Sequence, residues 1–300
     1  MMCLDLAAKV RWRKFFDKKN QYVLLQDKLA VKGYAQSRGV KTAKTLFSTQ
    51  NPSSIPFDDL PNTYFIKANH GWSQNIVCLN SKFYNYGRGI EHYSPDGTER
   101  PPSLLSKNEI SRQEVIALCE TWLNKRHSNH EWAYHQISPQ IIIEERLESL
   151  DGNELFDYRF YAFEGQVKAI NVDSPSFKKA GKNAFFDINW NPFELTSYKE
   201  AFPVPPPNKP ENLDAMLSAA SQLSKDISFV RVDLYNCKSG IILGEMTIYP
   251  ESGEINSPTS CKKFNKWLGD HWRLNRFQHL VALILNLIYQ LKMSRIYKST

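Results

Sequence analysis

Three hundred residues, 42% hydrophobic and 23% charged, are enough for one large or two to three small lobes with a proper core, and 13% aromatic residues exclude a disordered chain. No apolar run is long enough to span a bilayer, and the start, MMCLDLAAKVRWRKFF, carries Asp5 and no signal-peptide core, so a cytoplasmic protein is expected. The formal charge of +7 favours anionic partners, while five scattered cysteines without a CxxC pair argue against a disulfide framework or a zinc site, and no zinc-finger spacing, RNP-like strand or recognition helix points to nucleic acid.

Residues 1 to about 26 form a basic, aromatic lead-in, helical in part. Asp27 caps a predicted helix over KLAVKGYAQSR, which stops at Gly39, where left-handed backbone is wanted. Val40 to Phe47 reads as a strand and Pro52 to Pro61 as a loop. Thr63 to Lys67 and Ile76 to Leu79 read as a hairpin with a long polar tip, ANHGWSQN. Such a tip folds backbone N–H groups over phosphates, with Lys67 as an added point charge; a solvated lysine is the commoner reading of that residue alone. Ser81 to Pro102 reads as irregular. Ser111 to Lys125 is an amphipathic helix whose Val115, Leu118, Cys119 and Trp122 are core positions, and His127, His130 and His135 form a loop cluster without metal-ligand spacing.

Ile141 to Ile143 is a continuous apolar strand that ends in Glu144 and Glu145, the pattern of a buried strand opening into a crevice. Asp157 to Phe163 and Gln166 to Val172 form a hairpin across Glu164-Gly165, with Asp157 and Arg159 on one face. The stretch SFKKAGKN, with Lys178, Lys179 and Lys182, is either a basic lid over an anionic ligand or a solvated loop. PVPPPNKP is a stiff connector into a helix over Glu211 to Lys225, with Met216, Leu217, Ala220 and Leu223 on its buried face.

Phe229 to Gly253 reads as a hairpin. Val230, Val232 and Leu234 alternate with Arg231, Asp233 and Tyr235; Ile242, Gly244, Met246 and Ile248 alternate with Leu243, Glu245, Thr247 and Tyr249. A turn centred near Ser239 pairs Asp233 with Glu245 and Arg231 with Thr247. Like charges opposed on a sheet cost up to roughly 1 kcal/mol, so this face is either a solvated Arg, Asp, Glu network or a cation site; Mg²⁺ is commonly held by one or two carboxylates plus phosphate oxygens. Further on, Phe277, Leu280, Val281, Ile284, Leu287, Ile288 and Leu291 form a helical stripe flanked by Arg273, Arg276, Lys292, Arg295 and Lys298. It reads first as a core helix and second as an interfacial membrane helix.

The segments DKLAVKGYAQSRGV, FIKANHG, EWAYHQISPQIIIEERL, DYRFYAFEG, KPENLDAMLSAASQL and FVRVDLYNCKSGIILGEMTIYPESG resemble, in that order, the TupA-like family of the ATP-grasp superfamily, which is associated with teichuronopeptide and other surface-polysaccharide gene sets. The resemblance implies an α+β ATP-grasp fold in which two α+β lobes clamp ATP, with a helical, basic N-terminal lead-in and a C-terminal helix. Lobes are expected over 63–145 and 146–300, after a helical and linker region over 1–62.

By the same resemblance, Lys28 and Lys67 would contact the α- and β-phosphates under a loop from Asn69 to Asn75 that includes His70, Gly71 and Ser73. Glu144 would receive the adenine amino group, the backbone from Glu145 to Leu147 would meet the ring edge, and Asp157 would accept the ribose hydroxyls. Arg231, with Lys67, would stabilise the transferring phosphate, and Asp233, Glu245 and Thr247 would hold Mg²⁺. Thr247 stands where many ATP-grasp enzymes have Asn, and Trp72 where a small residue is usual. The implied activity is ATP-dependent carboxylate–amine ligation through an acylphosphate, on an acidic sugar or polysaccharide precursor of the cell surface with an amine or amino acid. A sugar kinase, a glycosyltransferase and a non-catalytic nucleotide-binding protein stand as alternatives. Peripheral contact with the inner face of the membrane through the C-terminal helix is a further expectation.

Overall fold

The structure, a computed structural model, describes residues 4–71, 74–85, 109–125, 130–150, 155–173, 183–193, 202–254 and 262–299. Trp72, Ser73, His127 and the basic stretch with Lys178, Lys179 and Lys182 lie outside these residues, as does most of the segment expected to be irregular.

Asp5 accepts from the Ala8 N–H and starts helix α1 (Leu6–Phe16). The basic residues of α1 are not surface charges: Lys9, Arg11, Arg13 and Lys14 are all buried, whereas Lys18 and Lys19 beyond it are exposed. Each buried one is spent on backbone carbonyls, Lys9 on Gly269 and Trp272, Arg13 on Phe229, Arg11 on Gly253 and Lys14 on Ser252. Buried cations persist only when hydrogen-bonded in this way, so α1 acts as a polar pin holding later segments together. After α2 (Asn20–Gln26), the Asp27 carboxylate accepts from the Leu29 and Ala30 N–H groups and caps α3 (Ala30–Gln36), and Gly39 adopts φ +72° beyond it.

The strand predicted over Val40 to Phe47 is two strands in two sheets. β1 (Lys41–Thr42) lies parallel to β12 (Gly240–Thr247), and β2 (Thr45–Thr49) lies antiparallel to β7 (Ile141–Glu145). Between them the chain crosses from one sheet to the other at Ala43-Lys44, where the Lys32 ammonium holds the Ala43 carbonyl and the Thr45 hydroxyl. Period-two patterning continues through such a crossing, so it leaves no local mark.

One sheet has the order β2-β7-β3-β4-β5-β6, with β3 (Tyr64–Ala68), β4 (Asn75–Leu79), β5 (Lys82–Asn85) and β6 (Glu109–Ile110). β5 falls in the segment expected to be irregular. Asn80 and Ser81 both take positive φ and make the two-residue turn that pairs Leu79 with Lys82. α4 (Arg112–Asn124), started by a Ser111/Glu114 capping box, puts Val115, Cys119 and Trp122 into the core of this sheet, and the short α5 (Trp132–His135) leads to β7.

The other sheet has the order β1-β12-β11-β8-β9-β10, with β8 (Asp157–Phe163), β9 (Gln166–Asp173), β10 (Ala184–Phe186) and β11 (Val230–Cys237). α6 (Leu213–Ser224) buries Met216, Ala220 and Leu223 against it, Met216 and Leu223 each contributing roughly 1.5–3 kcal/mol. After the short turn Pro250–Gly253 come α7 (Lys262–His271) and α8 (Arg276–Ser299).

α8 corrects the core reading of its apolar stripe. Phe277, Leu280, Ile284, Leu287, Ile288 and Leu291 are exposed, whereas Ala282 is buried and Val281, Leu283 and Leu285 are partly covered. The helix is apolar nearly all round, and polar anchors choose its buried side. Arg11 donates to Asn286 Oδ1 at 2.7 Å and sits 4.2 Å over the Tyr289 ring, which turns the predicted stripe outward.

Candidate functional site

The hairpin of β11 and β12 pairs Arg231 with Thr247 and Asp233 with Glu245, the register expected from the sequence. The route to it differs. Cys237 pairs with Gly240 around a two-residue turn, that register holds through Tyr235 with Ile242 and Leu234 with Leu243, and it then shifts by one, so that Asp233 meets Glu245. Gly244 is the extra residue of this bulge. The alternation predicted for Ile242 to Ile248 is therefore broken between Leu243 and Glu245. A Cβ on Gly244 would lie 2.6 Å from the Tyr235 ring, so a side chain at the bulge would displace the tyrosine.

Across the sheet, cross-strand rows assemble a charged surface. Asn171, Arg159, Asp233 and Glu245 form one row, and Asp173, Asp157 and Tyr235 the next. Arg159 is the hub: it contacts Asp157 at 2.8 Å, Asp173 at 2.7 Å and Asp233 at 4.0 Å. Arg231 holds both oxygens of Asp233, at 2.7 and 2.6 Å, and donates to the Thr247 hydroxyl at 3.2 Å. Burial works against the charge on Arg231, yet Asp233 more than offsets it and raises the guanidinium well above its ordinary value. Burial pushes the Asp157 carboxyl up, opposed by Arg159 and assisted by Asp233; its Oδ1 is buried with no hydrogen-bond partner.

Facing this surface is the end of the first sheet. Glu144 takes Lys67 at 3.0 Å on one oxygen and Lys32 on the other. Burial alone would raise its carboxyl, but the two lysines hold it below its ordinary value. Lys28 donates to the Gly71 carbonyl and lies 4.0 Å from Glu245. Between the two walls is a cavity of about 420 Å³, within the usual range for a small-molecule site.

Of the residues implied by the resemblance, Lys28, Lys67, Gly71, Asn75, Glu144, Glu145, Leu147, Asp157, Asp233 and Glu245 line this one cavity. Arg231 and Thr247 sit in the adjacent row of the same face. Asn69 and His70 are not among the lining residues. The Asn69 side chain, fully buried, binds Asp27, the Ser138 carbonyl and the Gln140 N–H, and the His70 ring lies against Asn69 and the carbonyls of Trp122 and Lys125. They brace the tip from behind. The Glu145 carboxylate is likewise tied to the Lys44 N–H, 2.7 Å away.

Sequence reasoning passed over Lys32, Asp173, Tyr235 and Gly244, which line the cavity, and took Arg159 no further than the face it shares with Asp157, where the two are indeed paired. Lys32 had a signal, standing four residues after Lys28 on a helix; Tyr235 had one in its alternation with Asp233. Gly244 had none.

The Lys32, Glu144, Lys67 cluster makes acid stability a test of the geometry. Because the folded Glu144 carboxyl titrates below its unfolded value of about 4.3, its contribution is complete above that pH and disappears as pH falls through the lower folded value. Glu144→Gln should therefore be less stable at neutral pH, with the difference from wild type closing below about pH 4. Urea unfolding from pH 3 to 7 reads this; a difference that stays constant with pH would contradict the cluster.

The description TupA-like ATPgrasp belongs to a family model that matches residues 8–273. No curated protein matches the chain. Among solved structures, it is similar to the D-alanine–D-alanine ligase of Bacillus anthracis complexed with ATP, at 12% identity over 83% of this chain and 63% of that one, TM-score 0.42. The D-alanine–D-alanine ligase of Helicobacter pylori gives 15% identity over 83% and 62%, TM-score 0.44, and an L-amino acid ligase of Bacillus licheniformis 12% over 77% and 44%, TM-score 0.40. The chain spans less than two thirds of the length of each of these. With the family match running from α1 to the residues just before α8, the chain belongs to the TupA-like ATPgrasp family.

Proposed function

We propose that the protein is an ATP-dependent carboxylate–amine ligase whose ATP lies in the cavity between the two sheets, with lobes over residues 63–145 and 146–300 to which the region 1–62 adds β2 and β1. The observation that carries this reading is the Asp233/Glu245 pair facing Lys28 and Lys67 across the cavity. Lysines on one wall suit the α- and β-phosphates, the backbone after Glu145 suits an adenine edge, and Asp157 suits the ribose hydroxyls. Glu144 accepts from both lysines in this structure, so meeting an adenine amino group there would add a third donor to a carboxylate with lone pairs to spare.

The donor set fits Mg²⁺. Among the described residues no group of three His, Cys, Asp or Glu could hold a metal, but two opposed carboxylates and the Thr247 hydroxyl are hard oxygen ligands of the kind that leave the remaining positions to phosphate oxygens and water. Bound there, Mg²⁺ would neutralise phosphate charge. Arg231, held beside the pair, is placed to stabilise the transferring phosphoryl group, with Lys67 at the other wall. In the proposed reaction a substrate carboxylate oxygen attacks the γ-phosphorus and ADP leaves; an amine then attacks the acyl carbon, phosphate leaves and an amide forms. The protein's part is to hold the reactants together and balance charge.

The acceptor we propose is an acidic sugar or polysaccharide precursor of the cell envelope, made in the cytoplasm, with an amino acid as the amine; family membership and the positive net charge support it. ATP with Mg²⁺ should raise the melting temperature, by the equivalent of about 2.7 kcal/mol at a hundred times Kd, and Lys67→Ala should blunt the rise. Screening uronic acids with amino acids for ADP release and product mass tests the ligase itself. ADP formed without an amine would indicate a sugar kinase, and turnover of a nucleotide sugar with ATP untouched a glycosyltransferase.

A further inference from the structure

α8 is a 24-residue helix with two different sides. One packs on α1 through Ala282, Asn286 and Tyr289. The other presents Phe277 (74% exposed), Leu280, Ile284, Leu287, Ile288 and Leu291 (64% exposed), a ridge about 21 Å long at 1.5 Å per residue. Scattered apolar residues on a surface are ordinary; a continuous ridge of six large ones marks a site of interaction.

Charge decides what that ridge meets. From Arg273 to Thr300 there is no Asp or Glu, and Arg273, Arg276, Lys292, Arg295 and Lys298 stand at the two ends of the ridge. Arg273, Arg276 and Lys292 are exposed. The spacing of Phe277, Leu280, Ile284, Leu287 and Leu291 would also suit a second copy of the helix. Two copies, however, would bring basic ends together whether parallel or antiparallel, with no acid on the helix to pair with them. An anionic lipid surface complements both features, taking the ridge into its apolar boundary and the basic ends among its headgroups. Among the described residues no helix is long and apolar enough to cross a membrane, so the contact is with one face only. We propose that α8 lies in the plane of an anionic membrane and docks the protein there, its apolar ridge inserted and its basic ends on the headgroups. This rests on α8 alone and stands whether or not the ligase reading does.

Sedimentation of the full chain with vesicles tests it. Wild type should pellet with phosphatidylcholine vesicles containing phosphatidylglycerol and stay in solution with phosphatidylcholine alone, and binding should weaken as salt rises. Ile284→Glu with Leu287→Glu, both at exposed positions, should lower the bound fraction at least tenfold with an unchanged melting curve. Arg273→Gln, Arg276→Gln and Lys292→Gln should each weaken binding about fivefold; these polar surface changes keep the test decisive should the double variant misfold. Wild type that ignores anionic vesicles overturns the proposal, as does equal binding to neutral ones. A dimer by light scattering that the double variant turns to monomer, without vesicle binding, would assign the ridge to a second copy instead.

Discussion

Asp233→Asn and Glu245→Gln are each expected to lower ATP-dependent ADP release by on the order of 10²-fold or more, while behaving differently in the absence of nucleotide. Asp233 is 4% exposed and both its oxygens accept from Arg231. The neutral amide loses a buried charge-assisted pair and leaves a guanidinium short of a partner, a cost of roughly 1.5–3 kcal/mol. Glu245 sits directly opposite with its side chain 31% exposed, and Lys28, its ion-pair partner among the described residues, is 4.0 Å away. Removing its charge relieves repulsion from Asp233 and gives up a weak contact, so its stability should stay within about 0.5 kcal/mol of wild type. Metal-free urea unfolding and ADP release on the same two proteins separate chemistry from structure. Turnover that survives in the well-folded Glu245→Gln protein would remove the metal pair from the mechanism.

Arg159→Met should be the most destabilising single change at the site, by roughly 3–5 kcal/mol at neutral pH. The guanidinium serves Asp157 and Asp173 at hydrogen-bonding distance and Asp233 at 4.0 Å. A methionine of similar length fills the space but takes from Asp157 and Asp173 the guanidinium they share, while Asp233 keeps Arg231. Burial already pushes the Asp157 carboxyl up against the pull of Arg159, and without the guanidinium it would rise further, so the folded variant binds a proton before the unfolded chain does and the deficit shrinks as pH falls. Arg159→Met with Asp173→Asn should recover part of the loss, since one of the two carboxylates that share the guanidinium is then neutral. Unfolding at pH 5 and pH 7.5 reads both effects; a deficit below about 1 kcal/mol, or one indifferent to pH, would show that the aspartates do not depend on Arg159.

The residues themselves determined whatever depends on neighbours along the chain. Alternation through Val230 to Tyr235 fixes which side chains share a face, and Asp27, Ser111 and Glu164-Gly165 start helices or turn strands by local backbone chemistry, so these features were legible. The Asp233/Glu245 pairing was legible too, although the true path combines a shorter turn with a bulge at Gly244, two offsets that cancel where the carboxylates sit.

Tertiary structure alone decided everything set by contacts distant in sequence. It split Val40 to Phe47 between two sheets, because each half is satisfied by a different partner strand. It buried the basic residues of α1, whose acceptors are carbonyls of residues beyond Ser228. It closed Lys32 and Lys67 onto Glu144 and turned the hydrophobic stripe of α8 to the outside. A side chain's charge or apolarity is a local property, but the energy of burying it depends on which distant group receives it, and only the fold names that group.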